Sequence, residues 1–105
     1  MNRATIDGAA IHSRSALHEH LAAALGLPIW YGHNLDALYD CLTDLYEDTQ
    51  LELVNQKILM ERLGGYGQRL LLVLERAQAE NPHFRLLQEE TDLDAADLTI
   101  DQEAT

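Results

Sequence analysis

Cysteine occurs once among the 105 residues, proline twice, and tryptophan and phenylalanine once each. The lone Cys41 excludes an internal disulfide framework and fits a reducing compartment. No run approaches the roughly 18 consecutive apolar residues that mark a membrane-spanning helix, so no membrane partner is expected. The opening residues, MNRATIDG, lack the basic-then-apolar order of a secretory leader, and the expected location is the cytoplasm. Basic residues are also scarce: seven Lys and Arg stand against 18 Asp and Glu, for a formal net charge of −11. Binding to a phosphate backbone needs clustered lysine and arginine, so direct nucleic-acid binding is not expected either.

The signatures of catalysis and cofactor binding are missing as well. His12, His18, His20, His33 and His83 form no metal-ligand spacing, and His18 and His20, two apart on a helix, point away from one another. Gly64-Gly65-Tyr66-Gly67 lacks the lysine and the preceding strand of a phosphate-binding loop. Asp36 and Asp40 on an exposed helix have no cleft to move their pKa values towards acid–base work. Cys41, beside an apolar stripe, reads as a packed thiol rather than a nucleophile. The expectation is a protein that is not an enzyme, with no cofactor and no metal.

What is present is enough to fold. Hydrophobic residues make up 47% of the chain, and a chain of this length forms one domain that buries roughly two-thirds of its unfolded surface. Arg3 to Asp7 reads as a strand closed by the Asp7-Gly8 turn. A first helix follows, capped by Ser13 or Ser15, with Leu17, Leu21 and Leu25 as its apolar stripe, ended by Gly26 and Pro28. Asn34 reads as the cap of a second helix whose core face is Leu35, Leu38, Leu42 and Leu45. Thr49 to Val54 is a second strand and Asn55 to Leu63 a short helix ended by Gly64-Gly65. Tyr66 to Glu80 forms a longer helix with Leu70, Leu71, Leu74 and Ala77 inward, stopped by Asn81-Pro82. Phe84 to Gln88 is a third strand. The order β-α-α-β-α-α-β predicts an α/β fold with a small three-stranded parallel sheet packed against helices. Residues 1–88 make the domain. Residues 89–105 carry seven acids and no base, and read as a flexible acidic tail, with a brief edge strand over Asp97 to Ile100 as the alternative there.

The acidity is placed rather than spread. Ser15 to Gln56 holds seven acids and no lysine or arginine, while residues 1–14 and 57–88 together are net +3. Within the acidic block, Leu27 to Asp48 (LPIWYGHNLDALYDCLTDLYED) combines Trp30, Tyr31, Tyr39 and Tyr46 with Asp36, Asp40, Asp44, Glu47 and Asp48. Asp36, Asp40 and Asp44, four apart, line one stripe of the second helix, a repulsive arrangement costing about 0.2–0.5 kcal/mol per pair. Asp36 gains from the positive helix end, whereas Asp44, near the other end, gains nothing. A solvated face would account for aspartates alone. The absence of any relieving base, and Tyr39 on the same outward stripe with His33 beside it, favour a surface made for a cationic partner. On the loop before the helix, one of Trp30 and Tyr31 is expected to staple to the core and the other to project. Gly32 reads as a turn residue.

The segment Trp30-Tyr31-Gly32-His33-Asn34-Leu35-Asp36-Ala37-Leu38-Tyr39-Asp40-Cys41-Leu42 resembles the barstar family of intracellular ribonuclease inhibitors. Ile6-Asp7-Gly8 at the end of the first strand, Leu17-His18, Leu27-Pro28 and the Ala77 to Glu80 helix end are similar to the family as well, and the likeness spans about residues 3–88. The resemblance implies three parallel strands with helices against them, and a basic ribonuclease of secreted or toxin type as partner, plugged by the second helix and the loop before it. It implies that Asp40 enters the nuclease active site in place of a substrate phosphate. Asp36 and Asp44 would meet further cations, Trp30 and Tyr31 would cover the rim, and Gly32, Asn34, Leu35 and Tyr39 would complete the contact. Trp30 and Tyr39 depart from the family's usual tyrosine and tryptophan, and Arg76 stands where an acid is familiar. The alternative kept beside this reading is an acidic interaction module for a basic partner that is not a nuclease.

Overall fold

A computed structural model describes residues 1–88. The expected acidic tail, with its edge strand over Asp97 to Ile100, lies outside the described residues. The elements are β1 (Asn2–Asp7), a 3-10 turn (Gly8–Ala10), α1 (Arg14–Leu25), α2 (Leu35–Thr43), β2 (Thr49–Val54), α3 (Gln56–Leu63), α4 (Gly65–Glu80) and β3 (Phe84–Gln88). The three strands form one sheet in the order β1-β2-β3, both pairs parallel, as the alternation of strands and helical crossovers implies.

Strand periodicity sorts the sheet into two faces. Ala4, Leu51 and Leu86 are partners across it, as are Ile6 and Leu53, and all five are buried. Their neighbours Thr5, Glu52 and Leu87 lie on the other face, partly or fully exposed. The covered face meets Leu17 and Leu21 of α1, Leu38 and Leu42 of α2, Leu59 of α3, and Leu70, Leu74 and Ala77 of α4 in one continuous core. The stripes at three- and four-residue spacing thus become one layer of helices over one sheet face.

Local chemistry sets the ends of each element. Ser13 rather than Ser15 caps α1, its Oγ accepting from the Ala16 N–H at 3.0 Å. Gly26 takes the left-handed conformation (φ 62°) that ends α1. Asn34 caps α2, its Oδ1 accepting from the Ala37 N–H at 2.8 Å. The Asp7-Gly8 turn does more than reverse the chain. Asp7 Oδ1 accepts from the Ala9 N–H at 2.9 Å and from Asn55 Nδ2 at 2.7 Å. These bonds, the Asn55 one foremost, hold the Asp7 carboxyl below its usual range, with Arg62 adding to them. Gly8 lies so close to the β2–α3 junction that a Cβ there would stand 2.4 Å from the Asn55 carbonyl oxygen. Arg62 then donates to the carbonyls of Ala9 (2.7 Å) and Ile11 (3.1 Å), tying α3 to the segment before α1.

The far end of α2 is held from a distance. Asn81, buried between α4 and β3, donates from Nδ2 to the carbonyls of both Leu42 and Leu45 at 2.9 Å. Its Oδ1 accepts from the His83 N–H at 3.0 Å. Read from sequence as a stop signal, Asn81 also ties the α4–β3 junction to the carbonyls at and just past the C-terminus of α2.

Candidate functional site

Burial of Leu38, Cys41 and Leu42 fixes the rotation of α2, and that rotation decides what the helix displays. Asp36, Asp40 and Asp44 are all exposed, on the stripe that their spacing predicts. Leu35 and Leu45 are half-buried at the margins of the core rather than fully inside it. Tyr39, expected to look outward, is also half-buried: its ring packs against the core while contributing to the surface.

Among the described residues, no side chain pairs with these aspartates. The one contact within ion-pair distance among the described residues is His83 Nδ1 with Asp48, at 2.9 Å, outside the α2 stripe. Arg76 on α4 comes nearest in kind. It lines a shallow cleft of about 320 Å³ together with Asp36, Tyr39, Asp40 and Val73, yet makes no ion pair with either aspartate. The stripe therefore keeps its mutual repulsion, with a single guanidinium on its flank. Cys41 is buried under it, and burial first, then the charges of Asp40 and Asp44, raise its thiol pKa. That is the environment of an inert thiol.

The loop before α2 separates its two aromatics as expected of one staple and one projecting ring. Trp30 is 75% exposed and Tyr31 5%. Ile29, next to Trp30, is fully exposed as well. The loop's backbone is closed by bonds from Leu27 N–H to the Ala22 carbonyl (3.0 Å) and from Tyr31 N–H to the Pro28 carbonyl (2.9 Å). Asn34 Nδ2 donates back to the Gly32 carbonyl at 3.1 Å, giving Gly32 the turn role expected of it. Next to Gly32, His33 takes a left-handed conformation (φ 54°), uncommon outside glycine, at the turn into the helix.

Tyr31 is the inward member of the pair. Expected to cover the rim of a partner's pocket, it turns inward, where its hydroxyl meets Nδ1 of the buried His18 at 2.5 Å. The opposite ring nitrogen, Nε2, meets the Tyr66 hydroxyl of α4 at 2.7 Å. A neutral imidazole donates from one nitrogen and accepts at the other. Tyr31 is enclosed, so its hydroxyl proton needs a protein acceptor, while half-buried Tyr66 can send its own proton to water. The satisfied arrangement is Tyr31 O–H donating to Nδ1 and Nε2–H donating to Tyr66. Burial foremost, with His33 nearby, holds His18 below the ordinary imidazole range. Burial foremost, with Cys41 and Tyr66 adding, pushes the Tyr31 phenol well above its usual value. Around this cluster, His33 lies near-parallel to His18 with ring centroids 6.2 Å apart, and Arg14 stands over the Tyr66 ring at 4.4 Å. In the sequence His18 belongs to no metal-ligand spacing and stands out only in the Leu17-His18 pair similar to the family. The available signal was its place beside Leu17 on the buried stripe of α1.

Among the described residues, no group of three or more His, Cys, Asp or Glu side chains could hold a metal ion, and no helix is long and apolar enough to cross a membrane. Fold and surface together define a small α/β domain that presents one unneutralised acidic helix beside a projecting aromatic loop. The chain belongs to the barstar family: the family model described as "Barstar (barnase inhibitor)" matches residues 1–93. It is also similar to the protein named "Putative ribonuclease inhibitor YrdF" of Bacillus subtilis (strain 168), with 40% identity over 82 residues, 76% of this chain and 89% of that protein.

Proposed function

We propose that this protein inhibits a ribonuclease by covering its active site with α2 and the preceding loop, Asp40 standing where a substrate phosphate would bind. The observation that carries the proposal is the exposed Asp36-Asp40-Asp44 stripe, left without an ion pair among the described residues in a chain of this family. A ribonuclease active site collects cationic and hydrogen-bond-donating groups around a phosphate. A carboxylate offers the same acceptor chemistry, and hydrogen bonds to charged groups are the strong kind. Asp40 is the middle member of the stripe, with Asp36 one turn before it and Asp44 one turn after, so it sits where flanking negative potential is greatest. Bringing cations to the stripe relieves its internal repulsion, and excluding water around the contact strengthens each bond.

Trp30 supplies the apolar contact. A projecting tryptophan beside a charged centre is the side-chain type that most often dominates binding energy. Gly32, Asn34, Leu35 and Tyr39 frame the two. Tyr31 supports the loop from within rather than touching the partner. The partner is a basic ribonuclease of secreted or toxin type, and the inhibitor protects the cytoplasm in which such an enzyme would meet the cell's own RNA.

The test is titration of the protein against a panel of microbial ribonucleases, wild type beside Asp40→Ala. Breaking a desolvated charge pair costs about 3–5 kcal/mol, so inhibition by Asp40→Ala is expected to weaken by roughly two to three and a half powers of ten. Absence of inhibition across the panel sinks the proposal, and so does an Asp40→Ala variant that inhibits as well as wild type. Capture of a basic protein without nuclease activity on the same stripe would establish the interaction module instead.

A further inference from the structure

The Tyr31–His18–Tyr66 cluster joins three parts of the fold: α1, the loop before α2, and α4. Tyr31 lies between Trp30 and Gly32, so the atom that holds Tyr31 also decides where Trp30 points and how the chain enters α2. We propose that His18 is the positioning residue of the binding loop, and that it holds the loop only while its imidazole is neutral, so that acid releases the display of Trp30. The inference rests on the inhibitory reading only in taking this loop as the one that meets the partner.

Geometry explains why neutrality is required. In the satisfied arrangement Nδ1 accepts from an enclosed tyrosine whose hydroxyl has no other protein partner among the described residues. Protonation turns Nδ1 into a donor, leaving the Tyr31 proton without an acceptor inside the protein. Among the described residues, nothing facing His18 compensates the new charge. From the loop it meets Tyr31 and the second imidazole, His33. From α4 it meets Tyr66, whose ring is flanked by the guanidiniums of Arg14 at 4.4 Å and Arg69 at 5.5 Å. Beyond Tyr31, α2 contributes the Cys41 thiol. No carboxylate belongs to this set, in contrast to His83, which has Asp48 at 2.9 Å. Burial already works against the charged form of His18, and His33 acts in the same sense. The low-cost response to protonation is for Tyr31 to leave, and the loop is held by few other bonds.

The chain's single tryptophan is the reporter, because Trp30 adjoins Tyr31. Emission and anisotropy of Trp30 are followed in the free protein from about pH 8 to about pH 5, with imidazole NMR assigning each histidine's titration. Wild type should show a loop transition below the ordinary imidazole value of 6.5 that tracks His18. His18→Asn retains an acceptor near the Nδ1 position but cannot titrate in this range, and should abolish the transition. Tyr31→Phe leaves His18 in place but uncouples it from the loop, and should abolish the transition too, which covers the case of a poorly folded His18→Asn. His33→Asn, compatible with the left-handed backbone there, should retain it. A loop competent a tenth of the time would inhibit about tenfold more weakly, so wild type should lose that factor between neutral and acid pH, whereas Tyr31→Phe, lacking the bond, should inhibit weakly at both. A flat Trp30 signal while His18 titrates, or a transition that follows His33, overturns the proposal. Because the fluorescence measurement uses the free protein, it stands or fails whether or not any ribonuclease is inhibited.

Discussion

Replacing Asn81 tests how the display helix is held at its far end. Its amide makes two donations at 2.9 Å, to the carbonyls of Leu42 and Leu45, and accepts one bond from the His83 N–H. Each such bond contributes about 1 kcal/mol net, and leaving a buried carbonyl without a partner adds to the loss. Asn81→Ala removes all three, and water can reach part of the gap, so the expected cost is about 2–4 kcal/mol. Against a total stability of about 5–15 kcal/mol for a domain, that is a large share. Urea denaturation should show the midpoint falling with the slope unchanged, and the melting temperature should fall by roughly 10–20 °C. Asn81→Asp sharpens the test because it is nearly isosteric. It keeps the acceptor for His83 but points a carboxylate at two carbonyl oxygens, which raises the new carboxyl's pKa in the folded state. The variant should therefore gain stability relative to wild type as pH falls, because the protonated acid can donate to one carbonyl. Asn81→Ala within about 0.5 kcal/mol of wild type, or Asn81→Asp as stable as wild type at neutral pH, would refute the capping role.

Gly8→Ala would place a Cβ 2.4 Å from the Asn55 carbonyl oxygen and 2.8 Å from the Leu59 Cβ; it should cost about 1–3 kcal/mol in urea denaturation, and a variant of unchanged midpoint would contradict the close packing. Because the folded pKa of His18 lies below the unfolded value of 6.5, its contribution to stability is complete above about pH 6.5 and is lost as pH falls through the interval between the two values. Stability curves across that interval should flatten in His18→Asn. The Asp7 contribution is lost only at more acid pH, below its ordinary value of 3.8, so the two are separable. Cys41, buried and with a raised pKa, should react with a thiol reagent roughly a hundredfold more slowly in the native protein than in urea; equal rates would show that the helix opens freely.

The elements were readable because each carries a local signal that no tertiary contact had to overrule. Asn34 before Leu35, Gly26 after Leu25, and Gly64-Gly65 between two helical stripes mark boundaries through backbone chemistry that acts within one turn. The alternation of Leu51 and Leu53, and of Phe84 and Leu86, marks the inward face of each strand. The acidic stripe was readable for the same reason: helical period alone sorts Asp36, Asp40 and Asp44 from Leu38 and Leu42. Family likeness then offered a role for these residues, but the Tyr31 ring went inward where that likeness put it at a rim. Its partners lie 13 residues away at His18 and, through His18, 48 residues further on at Tyr66, and no periodicity links such positions.

Sequence alone thus determined which residues form strands and helices, that the strands run parallel, and that one helix shows an unrelieved acidic face, since all three follow from short-range spacing and charge. Tertiary structure alone decided which aromatic projects, that His18 joins the loop to α4, that Asn81 holds the end of α2, and that Arg76 stands beside Asp36 and Asp40 across one cleft. Those facts depend on how separate segments meet in space. For His18 and Asn81 the energy that selects them is the satisfaction of buried polar groups, which each segment can achieve only with partners far away in the chain.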